Sequence, residues 1–163
     1  MSAVLQGRAD RTPIPADELN FSSMTADDLD WVAEAEAFIY PFPWSHRDFA
    51  NSQAAGHSCW LLRHRGARAG YAVLMLGVDD ANLLNISVLP ELQGRGLGSA
   101  LMYHVCEFAR TAGKTQLFLE VRESNVAAQA LYEKWGFVLN RRRKGYYPAT
   151  EGREDALELR RDL

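Results

Sequence analysis

The run Gln93-Gly94-Arg95-Gly96-Leu97-Gly98, followed by Ser99, is the stretch best suited to hold an anion. Glycine lets a backbone approach a ligand closely, and the first amides of a following helix have no partner inside that helix. Together they can cradle a phosphate. A Walker A loop is excluded, because the lysine and hydroxyl it needs are not in place. A dinucleotide turn stays open on spacing alone. Ser99 is the small residue at its third glycine position, and Glu120 lies close to the acidic position about 20 residues on. The preceding antiparallel strand pattern and Pro90 weaken that reading. A tight turn without any ligand is the third possibility.

Two further groups could move protons. Glu120 ends the apolar run Gln116–Val121, where it is either a general base or a strand-end charge paired with Arg122. Tyr132 follows on the next helix, and on spacing alone it is a packed helix tyrosine. Phe42, Pro43, Trp44, Tyr146 and Tyr147 could line a groove, though aromatic residues more often simply pack. Arg141-Arg142-Arg143-Lys144 reads as a solvated strand edge, with an RNA contact as the weaker alternative. His57, His64 and His104 are scattered, and no metal site is expected.

These groups must be placed by secondary structure. Thr25 with Asp28, and Ser45 with Asp48, have capping-box spacing. They open helices over Ala26–Phe38 and His46–Ala54. Tyr40-Pro41-Phe42-Pro43-Trp44 between them cannot be helical. Strands are expected at Ser58–His64, Gly70–Val78 and Asn82–Val88, with turns at Gly66 and at Asp79-Asp80. A helix over Gly98–Ala112 carries Leu101, Val105, Phe108, Ala109 and Ala112 on one apolar face. Asn125 caps a last helix that reaches about Trp135. Phe137–Arg143 and Ala156–Arg160 are the final strands, around a polar loop. The expected fold is α/β: one domain over residues 19–163, with a mixed, mostly antiparallel sheet of about six to seven strands and about four helices. The strand-helix-strand unit across the glycine turn implies local parallel pairing. Residues 1–18 read as a loose tail.

The chain has 163 residues, 18 of them basic and 21 acidic, for a formal net charge of −3. That balance argues against direct nucleic-acid binding, which usually needs a basic excess. No apolar run approaches the roughly 18 residues of a membrane span, so no membrane partner is expected. The N-terminus lacks a signal-peptide pattern. Cys59 and Cys106 sit in apolar runs without metal-type spacing. A soluble protein of a reducing cytoplasm is the expectation.

The glycine turn resembles the Q/R-x-x-G-x-G/A signature of GNAT acetyltransferases, set after Asn85-Ile86-Ser87-Val88 and before a helix. Leu119–Asn125 and Ala130–Phe137 are similar to the second half of that superfamily. Phe42-Pro43-Trp44-Ser45, Tyr146-Tyr147-Pro148 and Gly152–Ala156 together resemble one branch, the bacterial ribosomal-protein-alanine N-acetyltransferases (RimI type). The similarity runs from about Phe21 to Leu159. The chain departs from the branch in its longer N-terminal tail and in Tyr40-Pro41. The resemblance implies a GNAT-type domain that uses acetyl-CoA as co-substrate. Amides from Gly94 to Ser99 would hold the pyrophosphate, in a turn begun by Gln93. Ile86, Ser87 and Val88 would pair with the pantetheine arm, and Asn125 and Tyr132 would touch it. It further implies Glu120 as base and Tyr132 as acid. Phe42, Trp44, Tyr146 and Tyr147 would stand beside Glu120 around the acceptor. The implied acceptor is the N-terminal alanine of a small-subunit ribosomal protein, attacked in a ternary complex without an acyl-enzyme. The alternatives are a GNAT acting on lysine, a polyamine or another small amine, and a non-catalytic acyl-CoA-binding module. The presence of both Glu120 and Tyr132 argues against the module.

Overall fold

The computed structural model describes residues 10–163. The strands are β1 Leu19–Ser23, β2 Ser58–His64, β3 Ala67–Leu76, β4 Asp80–Val88, β5 Gln116–Arg122, β6 Val138–Pro148 and β7 Arg153–Asp162. The helices are α1 Leu29–Ile39, α2 His46–Ala54, α3 Leu97–Thr111 and α4 Val126–Lys134.

All seven strands join one sheet in the order β1-β2-β3-β4-β5-β7-β6. Among the described residues only the β4–β5 pair is parallel, as a strand-helix-strand crossover requires. Successive side chains on a strand point to opposite faces, so the sheet feeds two cores. Leu62, Ala72 and Leu74 meet Leu97, Leu101, Met102, Val105, Cys106 and Ala109 of α3. Leu61, Tyr71 and Val73, offset by one residue, meet Val32 of α1 and Phe49 of α2. Both cysteines are free and buried.

Both capping boxes form. The Ser45 and Thr25 amides donate to Asp48 and Asp28 at 2.7 and 2.8 Å. A short 3-10 turn, Ala26–Asp28, precedes α1, because Asp28 turns inward to take Arg68 at 2.9 Å. Burial alone would raise the Asp28 carboxyl, but the Thr25 amide and Arg68 outweigh it and hold the group below its ordinary value.

Several expectations need correction. The buried stripe of α3 is turned from the expected face: Ala112 is exposed, and Phe108 is partly exposed with its ring against Trp60 at 4.8 Å. β3 begins three residues early, because Arg65 and Gly66 both take positive φ (50° and 81°) and close a two-residue hairpin turn. The last two strands are longer than expected and leave only four residues between them. Lys144–Pro148 stays in β6 across an irregularity between Arg143 and Tyr147, where Gly145 takes φ 58°. Of the expected 1–18 tail, residues 1–9 lie outside the described residues. Within residues 10–18 most side chains are exposed, but Ile14 is buried and its amide donates to the Arg95 carbonyl at 3.0 Å.

Candidate active site

β4 and β5 pair only from Asp80–Gln116 to Leu83–Leu119. Beyond that point β4 stays paired with β3 alone and β5 with β7 alone. The strands splay, and the β4 edge from Ile86 to Val88 is left without a strand partner on its β5 side. A cleft of about 1210 Å³ opens there, lined by Ile86, Ser87 and Val88, by Gln93, Gly94, Gly96, Gly98 and Ser99, and by Asn125 and Tyr132 of the α4 side.

The turn is built for close approach. Gly94 and Gly96 take φ 77° and 90°, conformations that a β-carbon resists. Gly98 lets α3 run close to α4, since a β-carbon there would sit 3.4 Å from Leu131. The Gln93 side chain donates to the Val88 carbonyl at 3.0 Å and ties the turn to the strand end. The start of α3, whose first amides have no partner within the helix, therefore stands at the cleft wall, an arrangement that suits a diphosphate. Leu97 and Arg95 do not line the cleft. Leu97 is buried in the core, and Arg95 sends its guanidinium outward to the Thr12 carbonyl at 2.8 Å.

A smaller pocket of about 170 Å³ lies against the first and shares Tyr40, Phe42, Ile86, Arg122, Asn125 and Tyr132 with it. Glu36, Trp44, Glu120 and Tyr147 line its far side. Asn125 caps α4 through the Ala128 amide at 3.2 Å and thereby fixes the helix that carries Tyr132. Tyr132 is buried at the junction of the two spaces. Burial, then the nearby Tyr40 and Tyr147 phenols, push its hydroxyl well above the ordinary tyrosine value. The Tyr147 hydroxyl is pushed up to about 12, by burial first and by Glu120 second.

Glu120 approaches Nε of Arg143 at 3.0 Å, at an angle outside hydrogen bonding. Its sequence neighbour Arg122 is engaged elsewhere, with Glu154 at 2.8 Å and with the rings of Phe42 and Tyr147 on either side at 4.9 and 4.4 Å. So the expected solvated edge Arg141–Lys144 is in part a row of ion pairs: Arg141 meets Glu158, and Arg142 meets Glu123 and Asp155. Tyr146 lines neither pocket. It is partly exposed under the Arg143 guanidinium, with its ring edge-on to Tyr147 at 5.0 Å.

Three groups at the site carry no motif. Glu36 of α1 is buried, with Oε2 taking the Tyr71 hydroxyl at 2.5 Å and Oε1 the Asn85 amide at 3.1 Å. Burial raises its carboxyl, only partly offset by Tyr71, Trp44 and Asn85. The Tyr40 hydroxyl meets the Ser87 hydroxyl at 2.8 Å, and Ser87 donates to Asn85 at 3.1 Å. These bonds run from Glu36 to the β4 edge. The helical period of α1 could have marked Glu36 as a polar residue on an apolar face; Tyr40 and Arg143 gave no such signal. Among the described residues, no group of three His, Cys, Asp or Glu side chains is placed to hold a metal ion.

The family model for the acetyltransferase (GNAT) family matches residues 26–137. The [ribosomal protein bS18]-alanine N-acetyltransferase of Escherichia coli (strain K12) is 41% identical over 136 residues, 83% of this chain and 92% of that protein. The crystal structure of the ribosomal-protein-S18-alanine N-acetyltransferase from Escherichia coli superposes with a TM-score of 0.83 at 39% identity. It covers 89% of this chain and 94% of that one. A GNAT family acetyltransferase from Elizabethkingia anophelis, solved with acetyl-CoA bound, shares the fold at 22% identity and a TM-score of 0.72, over 90% and 99% of the two chains. The glycine turn, the splayed strands and these matches agree: the chain belongs to the GNAT acetyltransferase family.

Proposed function

We propose that the chain transfers an acetyl group from acetyl-CoA to the α-amine of an N-terminal alanine on a small-subunit ribosomal protein, in the cytoplasm. The observation that carries the reading is the junction at Tyr132 between a long cleft with an anion-binding turn and a small pocket with a carboxylate. One space fits a diphosphate-bearing thioester and the other a short amine-bearing residue.

The chemistry follows from protons. The amine must be neutral to attack, and a free α-amine has a pKa of about 7.7–8.0 against about 10.4 for lysine. Roughly a tenth of an α-amine is neutral near pH 7, so a modest base suffices. Glu120 accepts the amine's proton, directly or through water. The C–N bond forms as the C–S bond breaks, and the departing thiolate takes the Tyr132 proton. The burial that keeps Tyr132 protonated also raises the basicity of a thiolate in the same cleft. Fixing both substrates in adjoining spaces supplies much of the acceleration.

Peptides differing only in their first residue test the reading. The small pocket predicts a kcat/KM for alanine at least about tenfold above that for leucine, the scale set by misfitting methylenes. Equal values for both would count against N-terminal alanine as the acceptor.

A further inference from the structure

We propose that residues Asp10–Ile14 are a working part of the coenzyme site, a strap along the outer side of the glycine turn that holds it in its diphosphate-binding shape. The proposal rests on the acetyl-CoA reading above.

Three of the strap's contacts converge on one residue. The Ile14 amide donates to the Arg95 carbonyl at 3.0 Å. Arg95 Nε donates to the Thr12 carbonyl at 2.8 Å, and its Nη2 lies 3.4 Å from Asp10 Oδ2. Asp10 in turn accepts the Thr12 amide at 2.9 Å, which shapes the strap locally. The Arg11 stem passes over the turn, its Cγ 3.8 Å from where a β-carbon on Gly94 would stand.

The strap is anchored beyond the turn as well. Ile14 is buried in the larger core. Four residues on, the Glu18 carbonyl accepts the Arg65 amide at 3.0 Å, and its carboxylate takes Arg65 and His64, each at 2.8 Å.

Arg95 is the point where such a support is most useful. It stands between two glycines of positive φ, the residues that lose most freedom on ordering. A turn already held pays less of that loss when ligand arrives. Arg95 therefore serves the coenzyme through its backbone, while its side chain belongs to the strap. Coupling of this kind is reciprocal, so a diphosphate in the turn must also steady the strap.

Hydrogen exchange on the full chain, with and without CoA, reads this directly. Exchange of the Ile14 amide should slow about tenfold with saturating CoA, and pantetheine, which lacks the diphosphate, should leave it unchanged. In the reverse direction, Asp10→Ala combined with Ile14→Ala should weaken CoA binding about tenfold by calorimetry, raising KM for acetyl-CoA but not for peptide. Asp10→Ala alone, which spares the core, should shift the same constants in the same direction by less. If CoA protects Gly94–Ser99 but not Ile14, and both variants bind CoA as the wild type does, the strap is only a structural appendage and the proposal is overturned. If the wild-type chain binds no CoA, the acetyl-CoA reading fails, and the proposal with it.

Discussion

Tyr132 and Glu120 both line the smaller pocket, and the proposed roles of acid and base would separate by pH. Tyr132→Phe keeps the ring contact with Phe137, at 5.7 Å between centroids, and removes only the proton. It should lower kcat by about 10²–10⁴, the usual span for general acid catalysis, with little change in affinity for CoA. Glu120→Gln should also lower turnover, but raising the pH should restore part of it, because more amine is then neutral without help. The Phe variant should show no alkaline recovery. Profiles of kcat/KM against pH that rise alike for both variants would mean the two roles are wrongly assigned. The family resemblance singled out these two residues in the sequence, and Asn125 with them, and all three line the smaller pocket. The partner of Glu120 was not legible. Sequence adjacency suggests Arg122, but β7 lies between β5 and β6, and its pairing brings Arg143 of β6 across to Glu120 instead.

The glycine turn, at the scale of an element, is a backbone device. A β-carbon on Gly96 would meet nothing within 4 Å, so Gly96→Ala tests conformation without a clash. Its φ of 90° should make that substitution cost about 1–3 kcal/mol, either as lost stability or as a remodelled turn. The expected result is a melting temperature lower by several degrees and weaker CoA binding. An unchanged CoA dissociation constant would show that the turn does not hold the diphosphate. Elements with local signals were readable from sequence: the Ser45 capping box gave α2 its start, the Thr25 box opened the 3-10 turn that leads into α1, and α3 and β2 fell within a residue of expectation. β1 was missed because Leu19–Ser23 is five residues long and half-exposed, with its support coming from pairing with β2 and from Leu19 and Phe21 against the core, partners remote in sequence. β6 was cut short at Arg143 because Lys144-Gly145 and Pro148 read as a loop in the sequence. They are strand only because β7 lies alongside them, a partner remote from any local pattern.

The whole molecule carries two buried carboxyls whose effects on stability oppose each other. Asp28 has a lowered value in the folded state, so its contribution is present above about pH 3.9 and disappears as pH falls through the folded value. Glu36 has a raised value, so the fold is favoured while it is protonated, and that contribution disappears as pH rises from about 4.3 through the folded value. Urea midpoints measured across pH should therefore lose part of their acid-side slope in Asp28→Asn, and part of the decline above pH about 4.3 in Glu36→Gln. Identical slopes in wild type and both variants would contradict this account of the buried network. Glu36 also shows how the site depends on the complete sheet, since its partners Tyr71 and Asn85 come from β3 and β4, and their order brings it beside the acceptor pocket. Transfer to an α-amine can be read in a single experiment. A peptide that begins with alanine and carries internal lysines is incubated with the enzyme and acetyl-CoA, and the acetylated position is located by fragmentation mass spectrometry. The account predicts the acetyl group on the N-terminal nitrogen alone; acetyl groups on the lysines, with the α-amine left free, would contradict it.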